Sequence, residues 1–242
     1  MAPDIKAIFL DVGNTLRILV KDELHQAQAR QQIAALAGTQ ESPEAFWERL
    51  DARYKIYREW AFENLIEASE KELWTRWLLP DFPTDKIAPL SGELTFQFRQ
   101  STGRRVVPSG AKHVIAELSQ RGYCLGIISN VITEREIPEW LEADGLTPYF
   151  QSVVLSSVFG RRKPDPAIYL EAARRAGVEP AHSAYVGDNP KRDVVGTRLA
   201  GFGMAILILE PAEAEQEPPA GENKPDIIIH KFSDLLEVFP AR

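Results

Sequence analysis

The apolar run "IFL" at residues 8–10 leads straight into Asp11, and Gly13, Asn14 and Thr15 then break the pattern. A carboxylate at the end of a buried strand is costly unless something pairs with it. Three distant loops offer the remaining chemistry. Ser129 and Asn130 follow "LGII", Lys163 lies in "GRRKPDP", and Asp188 and Asp193 lie in "GDNPKRD" after "SAYV". The set suits phosphoryl transfer. Asp11 and Asp188 can share a hard divalent cation, because Mg2+ is usually held by one or two carboxylates plus water and phosphate oxygens. Ser129 can donate to a phosphate oxygen, and Lys163 adds a point charge for the same group. An aspartate can also attack phosphorus and form an aspartyl-phosphate, which splits one hard step into two. Singly, each residue has a bland reading as a loop cap, a turn or a solvated lysine. Their joint placement argues for a site.

Placing these residues together needs a sheet whose strands all end on one edge. Short apolar runs recur as "IKAIFL", "YCLGIIS", "SVVLS", "SAYVG", "MAILIL" and "DIIIH", with helical patterns between most of them. The helix ends are legible. Thr133 and Glu136 form a candidate capping box. Asp165-Pro166 reads as an N-cap with proline at the first helical position, and Gly177 closes that helix. Asn189-Pro190 repeats the device, with Gly201 at the far end. Continuous apolar strands alternating with helices predict an α/β fold: a parallel sheet with helices on both faces. Ligands of such sheets bind beyond the carboxyl ends of the strands.

From Arg17 to about Arg104 the alternation stops. This stretch shows no convincing strand and carries four of the five tryptophans, Trp47, Trp60, Trp74 and Trp77. Leu50, Tyr54, Tyr57 and Ala61 follow helical spacing, so a helical insertion with an aromatic core is expected. The acidic, proline-rich 210–225 stretch is expected to be a mobile surface loop. The basic clusters "STGRR" and "GRRK" read as solvated faces. With a net charge of −7 over 242 residues, no nucleic-acid footprint is expected. The single cysteine, Cys124, excludes an internal disulfide and any multi-cysteine zinc site. His25, His113, His182 and His230 have no metal-ligand spacing. Without a basic leader or a membrane-length apolar run, the chain reads as cytoplasmic, with no membrane partner.

The segments "DVGNTL", "IISN", "GRRKPDP" and "VGDNPKRDVVG" resemble, in order and spacing, the four signatures of the haloacid dehalogenase-like hydrolase superfamily. The similar branch carries a helical cap after its first strand. The resemblance implies a Rossmann-like core over 1–16 and 105–242 and a helical cap over 17–104. It implies Asp11 as nucleophile and Mg2+ ligand, Ser129 and Lys163 as phosphate holders with Asn130 beside them, and Asp188 as a second metal ligand. Asp193 would be a further ligand through water or a partner for Lys163, and Gly13 could offer its backbone carbonyl to the metal. The implied partner is a small phosphorylated metabolite, met by a monomer or homodimer.

Gly13 departs from the pattern. Phosphatases of the superfamily carry there an aspartate that protonates the leaving group and later activates water. Glycine does neither, which predicts a slow enzyme more readily than a dead one; His25 or a cap glutamate are candidate substitutes. Three readings follow. The first is a Mg2+-dependent phosphate-monoester hydrolase with weakened acid–base catalysis. The second is a hydrolase of another bond. Haloacid dehalogenases lack that aspartate and need no metal, although they usually have a serine pair where this chain has Gly187-Asp188. Phosphonate-cleaving relatives rely on a cap lysine, for which Lys21, Lys55, Lys71 and Lys86 are the available residues. The third is a non-catalytic protein that keeps the phosphate and metal pocket.

Overall fold

The computed structural model describes residues 4–241. Its centre is a six-stranded parallel sheet in the order β5-β4-β1-β6-β7-β8. The strands are β1 (Ala7–Leu10), β4 (Cys124–Ser129), β5 (Phe150–Leu155), β6 (Ser183–Gly187), β7 (Met204–Ile208) and β8 (Ile227–Ile229). A separate antiparallel pair joins β2 (Ile18–Val20) to β3 (Arg104–Val106). Side chains on a strand alternate between faces, and β1 uses both. Ile8 and Leu10 enter one apolar cluster, while Ala7 and Phe9 enter another on the opposite side.

Helices cover both faces. α1 (Glu23–Ala37), α2 (Pro43–Asn64), α3 (Glu70–Glu72), α4 (Thr84–Ile87) and α5 (Ser91–Gln100) lie between β2 and β3 in the chain. α6 (Ala111–Gln120), α7 (Glu136–Ala143), α8 (Ser156–Phe159), α9 (Pro166–Ala176), α10 (Val195–Leu199), α11 (Pro211–Gln216) and α12 (Leu235–Val238) follow. α6, α7 and α12 pack on the Ile8 side of the sheet and α9 on the Phe9 side. This is the α/β architecture that the strand pattern predicts.

The inserted helices bury their own cluster, built around Ile33, Phe46, Leu50, Tyr57, Trp74, Leu78 and Phe98. The tryptophans serve packing: Trp60 and Trp77 stack at 4.8 Å, and Trp74 donates to Thr95 at 2.8 Å. Three expectations need correction. The insertion is not free of strands, because β2 opens it. All three β2 residues are exposed, so no buried alternation marks them. The 210–225 stretch contains α11, started by Pro211 at its first position, rather than loop throughout. Only half of the capping box forms. Thr133 accepts from the backbone of Glu136 at 3.4 Å, but the Glu136 carboxylate turns away to the insertion.

That carboxylate, fully buried, accepts from Arg99 at 2.6 Å and Gln100 at 3.1 Å, tying α7 to α5. A second tie is backbone to backbone. Arg162 donates to Leu65 at 3.1 Å, and Glu67 donates to Gly160 at 3.2 Å. Its side-chain counterpart is Glu67, which accepts from Tyr57, Ser156 and Arg162. Burial raises the Glu67 carboxyl above the usual range, and Arg162 opposes that rise. Glu136→Ala strands the Arg99 guanidinium, and removing one partner of a buried pair costs about 3–5 kcal/mol. A lowered denaturant midpoint with an unchanged slope is the expected result.

Candidate functional site

β1, β4 and β6 are adjacent and parallel, so their carboxyl ends bring Asp11, Ser129 and Asp188 to one edge. Lys163 arrives from the loop after α8 and is fully buried. Its ammonium lies 3.0 Å from Asp11 Oδ2 and 2.9 Å from Asp193 Oδ1, and it also donates to the Tyr185 hydroxyl. Asn130 holds the Lys163 backbone from both sides, accepting from its N–H at 2.8 Å and donating to its carbonyl at 2.9 Å. Asp11 is oriented from the other side by the Val12 N–H, at 2.7 Å from Oδ1.

Asp193 sits beneath the "GD" turn. Its Oδ2 accepts from the N–H groups of Asp188 at 3.1 Å and Asn189 at 2.9 Å. Only glycine allows this approach, since a Cβ at Gly187 would lie 2.3 Å from that oxygen. Burial favours protonation of Asp193, but Lys163 and then Arg192 outweigh it and hold the carboxyl below its ordinary range. Asp193 is thus the partner of Lys163.

Asp11, Asp188 and Asp193 each present an oxygen within 4.8 Å of the others. The Arg192 guanidinium reaches all three, at 3.2 Å from Asp11, 3.0 Å from Asp188 and 3.3 Å from Asp193. Burial works against its charge, yet these carboxylates raise its pKa. Asp188 also accepts from Asn14 at 2.9 Å. Burial raises the Asp188 carboxyl above its ordinary value, and the negative charge of Asp11 adds to the rise. Three carboxylates against Lys163 and Arg192 leave one negative charge in excess.

A cavity of about 260 Å³ opens over this edge, lined by Asp11, Gly13, Asn14, Ser129, Asn130, Asp188 and Arg192 together with Arg17, Arg99 and Arg105. Lys163 and Asp193 lie behind its wall. Ser129, buried at the end of β4, and Asn130 line it beside Asp11. Neither His25 nor any glutamate lines it. His25 instead meets Gln100 at 3.1 Å within the insertion. Lys21, Lys55, Lys71 and Lys86 are absent from its walls as well. Gly13 is not imposed by the backbone, because a Cβ there would meet nothing within 4 Å and its φ is outside the left-handed region.

The basic clusters are solvated only in part, at Arg104 and Arg161. Arg162 and Lys163 are buried, and Arg105 lines the cavity. Arg192 and Asn14 were not singled out by the sequence reading. Arg192 had one available signal, its place one helical turn after Asp188 and next to Asp193.

The fold and this edge define a Rossmann-like α/β protein whose site pairs a strand-end aspartate with a buried lysine. The chain belongs to the haloacid dehalogenase-like hydrolase family, whose sequence profile matches residues 5–201. It is similar to the phosphoserine phosphatase of Thermus thermophilus, at 28% identity over 98% of this chain and 99% of that one. Similarity to a glyceraldehyde 3-phosphate phosphatase of Methanopyrus kandleri is 32% over 51% of this chain and 52% of that one. Among solved structures, the 2-haloacid dehalogenase of Pseudomonas syringae pv. Tomato superposes with a TM-score of 0.70 at 25% identity, covering 97% of both chains. No helix of the described residues is long and apolar enough to cross a membrane.

Asp188 is more basic folded than unfolded, so its contribution to stability falls as pH rises from its ordinary value through its raised one. Asp188→Asn removes that cost at neutral pH. A higher Tm than wild type in EDTA at pH 7 is expected. An equal or lower Tm would mean that pairing with Arg192 outweighs burial.

Proposed function

We propose that the protein is a phosphatase that cleaves a small phosphate monoester through an aspartyl-phosphate on Asp11. The observation that carries this reading is the placement of Asp11. It is buried, held by Lys163 and the Val12 N–H, and set in the wall of a cavity that Ser129 and Asn130 also line. In the first step an Asp11 oxygen forms a bond to phosphorus while the ester P–O bond breaks. Ser129 donates to a phosphoryl oxygen, and Lys163 holds the Asp11 carboxylate in position. The departing alkoxide takes its proton from water, since Gly13 offers none. In the second step water attacks phosphorus, phosphate leaves, and the Asp11 carboxylate is restored.

The donor set fits Mg2+: oxygen ligands only, converging within 4.8 Å, with negative charge in excess. Asp11, Asp188 and the Gly13 carbonyl would hold the ion. Asp193, already committed to Lys163 and two backbone N–H groups, orients that pair. Bound Mg2+ neutralises phosphoryl oxygens and lowers the repulsion that Asp11 presents to them. Arg192 spans the same carboxylates, so a cation entering there competes with its guanidinium.

That last contact favours a second reading. Arg192 bridges Asp11 and Asp188 without any metal, as a displacement at the carbon of a 2-haloacid would allow, in keeping with the similarity to the Pseudomonas dehalogenase. Asp188 has no task in that chemistry. Halide release from 2-chloropropionate in EDTA, with no hydrolysis of phosphate esters in Mg2+, would replace the first reading by the second.

Gly13→Asp tests the weakened acid–base step directly, because the position has room for the side chain. Positioned acid–base help is worth about 10²–10⁴-fold. Steady-state hydrolysis of an alkyl phosphate in Mg2+ is expected to rise toward that range in the variant. An unchanged rate would mean that some other group already supplies the proton.

A further inference from the structure

The cavity over Asp11 adjoins a second one of about 290 Å³, and the two share Leu19, Arg99, Arg105, Asn130, Val131 and Arg192 as walls. Six arginines line the pair: Arg17, Arg58, Arg99, Arg105, Arg162 and Arg192. Among the described residues three carboxylates do so, namely Asp11, Asp188 and Glu67. The cations sort by partner. Arg17 pairs with Asp144, Arg99 with Glu136, Arg162 with Glu67, and Arg192 with the aspartates of the edge. Arg105 and Arg58 have no carboxylate partner among the described residues.

Arg105 is the more telling of the two. Its guanidinium donates through Nη1 to the Arg99 carbonyl at 2.8 Å and through Nη2 to Thr102 Oγ1 at 2.9 Å. Guanidinium has five N–H donors in a fixed fork; two of them clamp the group, and Arg105 lines both cavities. Burial pushes the Arg105 pKa down to about 10, and the positive charge of Arg99 adds to the fall. The group is thus partly desolvated beside a like charge. Its orientation comes from strand alternation: Arg104 points out to Asp22 at 2.9 Å, and Arg105 points in. Arg58, on α2, also lines the second cavity, its guanidinium 5.5 Å from the centre of the Phe62 ring.

We propose that Arg105, assisted by Arg58, forms a second anion subsite, so that the substrate is a phosphate monoester carrying a carboxylate on its leaving group. This rests on the phosphatase reading, since it places the phosphoryl group at Asp11 and Ser129 and the carboxylate beyond them. A planar carboxylate matches the guanidinium fork through two parallel hydrogen bonds. Charged hydrogen bonds of this kind change affinity by about tenfold or more. A second phosphate would meet the same fork, so the probes must separate the two anions.

The test uses calorimetric titration in Mg2+ with four ligands that the enzyme cannot hydrolyse. They are inorganic phosphate, propylphosphonate, 3-phosphonopropionate and propane-1,3-diphosphonate. In the wild type, 3-phosphonopropionate is expected to bind at least tenfold more tightly than propylphosphonate. Arg105→Met should bring that ratio below about threefold, and Arg105→Lys should leave it between the two, because the charge stays and the fork is lost. If Arg105→Met fails to fold, the wild-type ratio and the exposed Arg58→Gln variant still decide the matter. A wild-type ratio near one with measurable phosphate binding overturns the carboxylate subsite while sparing the phosphatase reading. Tighter binding of the diphosphonate than of 3-phosphonopropionate overturns the carboxylate in favour of a second phosphate. Absence of binding by phosphate and all three phosphonates overturns the phosphatase reading itself.

Discussion

A lysine with no exposed surface, fixed between two aspartates, is the constraint on which the site depends. The Lys163 ammonium touches Asp11 and Asp193, and these three residues come from β1, the loop after α8 and the turn after β6. Removing Lys163 leaves Asp11 and Asp193 to share Arg192 as their one counter-charge among the described residues, and breaking a buried pair by removing one partner costs about 3–5 kcal/mol. The network therefore clamps three crossover connections at one point on the sheet edge. It also decides which carboxylate is free to react. Asp193 is drawn under the turn by Gly187 and two backbone N–H groups, whereas Asp11 faces the cavity. One aspartate orients the lysine, and the lysine orients the other aspartate.

The same network links the insertion to the chemistry. Arg162 precedes Lys163 and pairs with Glu67, while its backbone bonds to Leu65. The segment that carries Lys163 is thus shared between the sheet and the inserted helices. Glu136 makes the second tie, through Arg99, a residue that lines both cavities. A substrate held between those cavities would be gripped by groups whose own positions depend on how the helices sit on the sheet. Binding and the seating of the insertion are then coupled by the same arginines.

Much of the fold is legible along the chain because it rests on local signals. The strands read as continuous apolar runs, and Asp165, Asn189 and Gly177 mark helix ends as the pattern predicts. Strand-end chemistry was legible too, because parallel strands place Asp11, Ser129 and Asp188 on one edge. What escaped is non-local. Arg162 reads as solvated until Glu67, far away in the chain, gives it its partner. Arg105 and Arg104 are indistinguishable in composition, and only the pairing of a three-residue strand turns one inward. Arg192 was passed over because a long side chain shows its target only in three dimensions. Thr133–Glu136 shows the opposite failure, a local motif whose second half is taken by a tertiary partner.

Gly13 concentrates the question of function. The backbone does not require glycine there, and among the described residues no histidine, glutamate or lysine lines the Asp11 cavity in its stead. On the phosphatase reading, attack by Asp11 is then provided for, while hydrolysis of what it forms is not. Mixing the protein with p-nitrophenyl phosphate and Mg2+ in a stopped-flow instrument, with Asp11→Asn as control, tests this imbalance most directly. The good leaving group needs little acid catalysis in the first step. A burst of p-nitrophenolate near one equivalent per site, followed by slow turnover and absent from the control, is the predicted result. Release no greater than in the control would contradict Asp11 as the nucleophile toward this ester. Fast linear turnover without a burst would contradict the claim that Gly13 leaves the second step unaided.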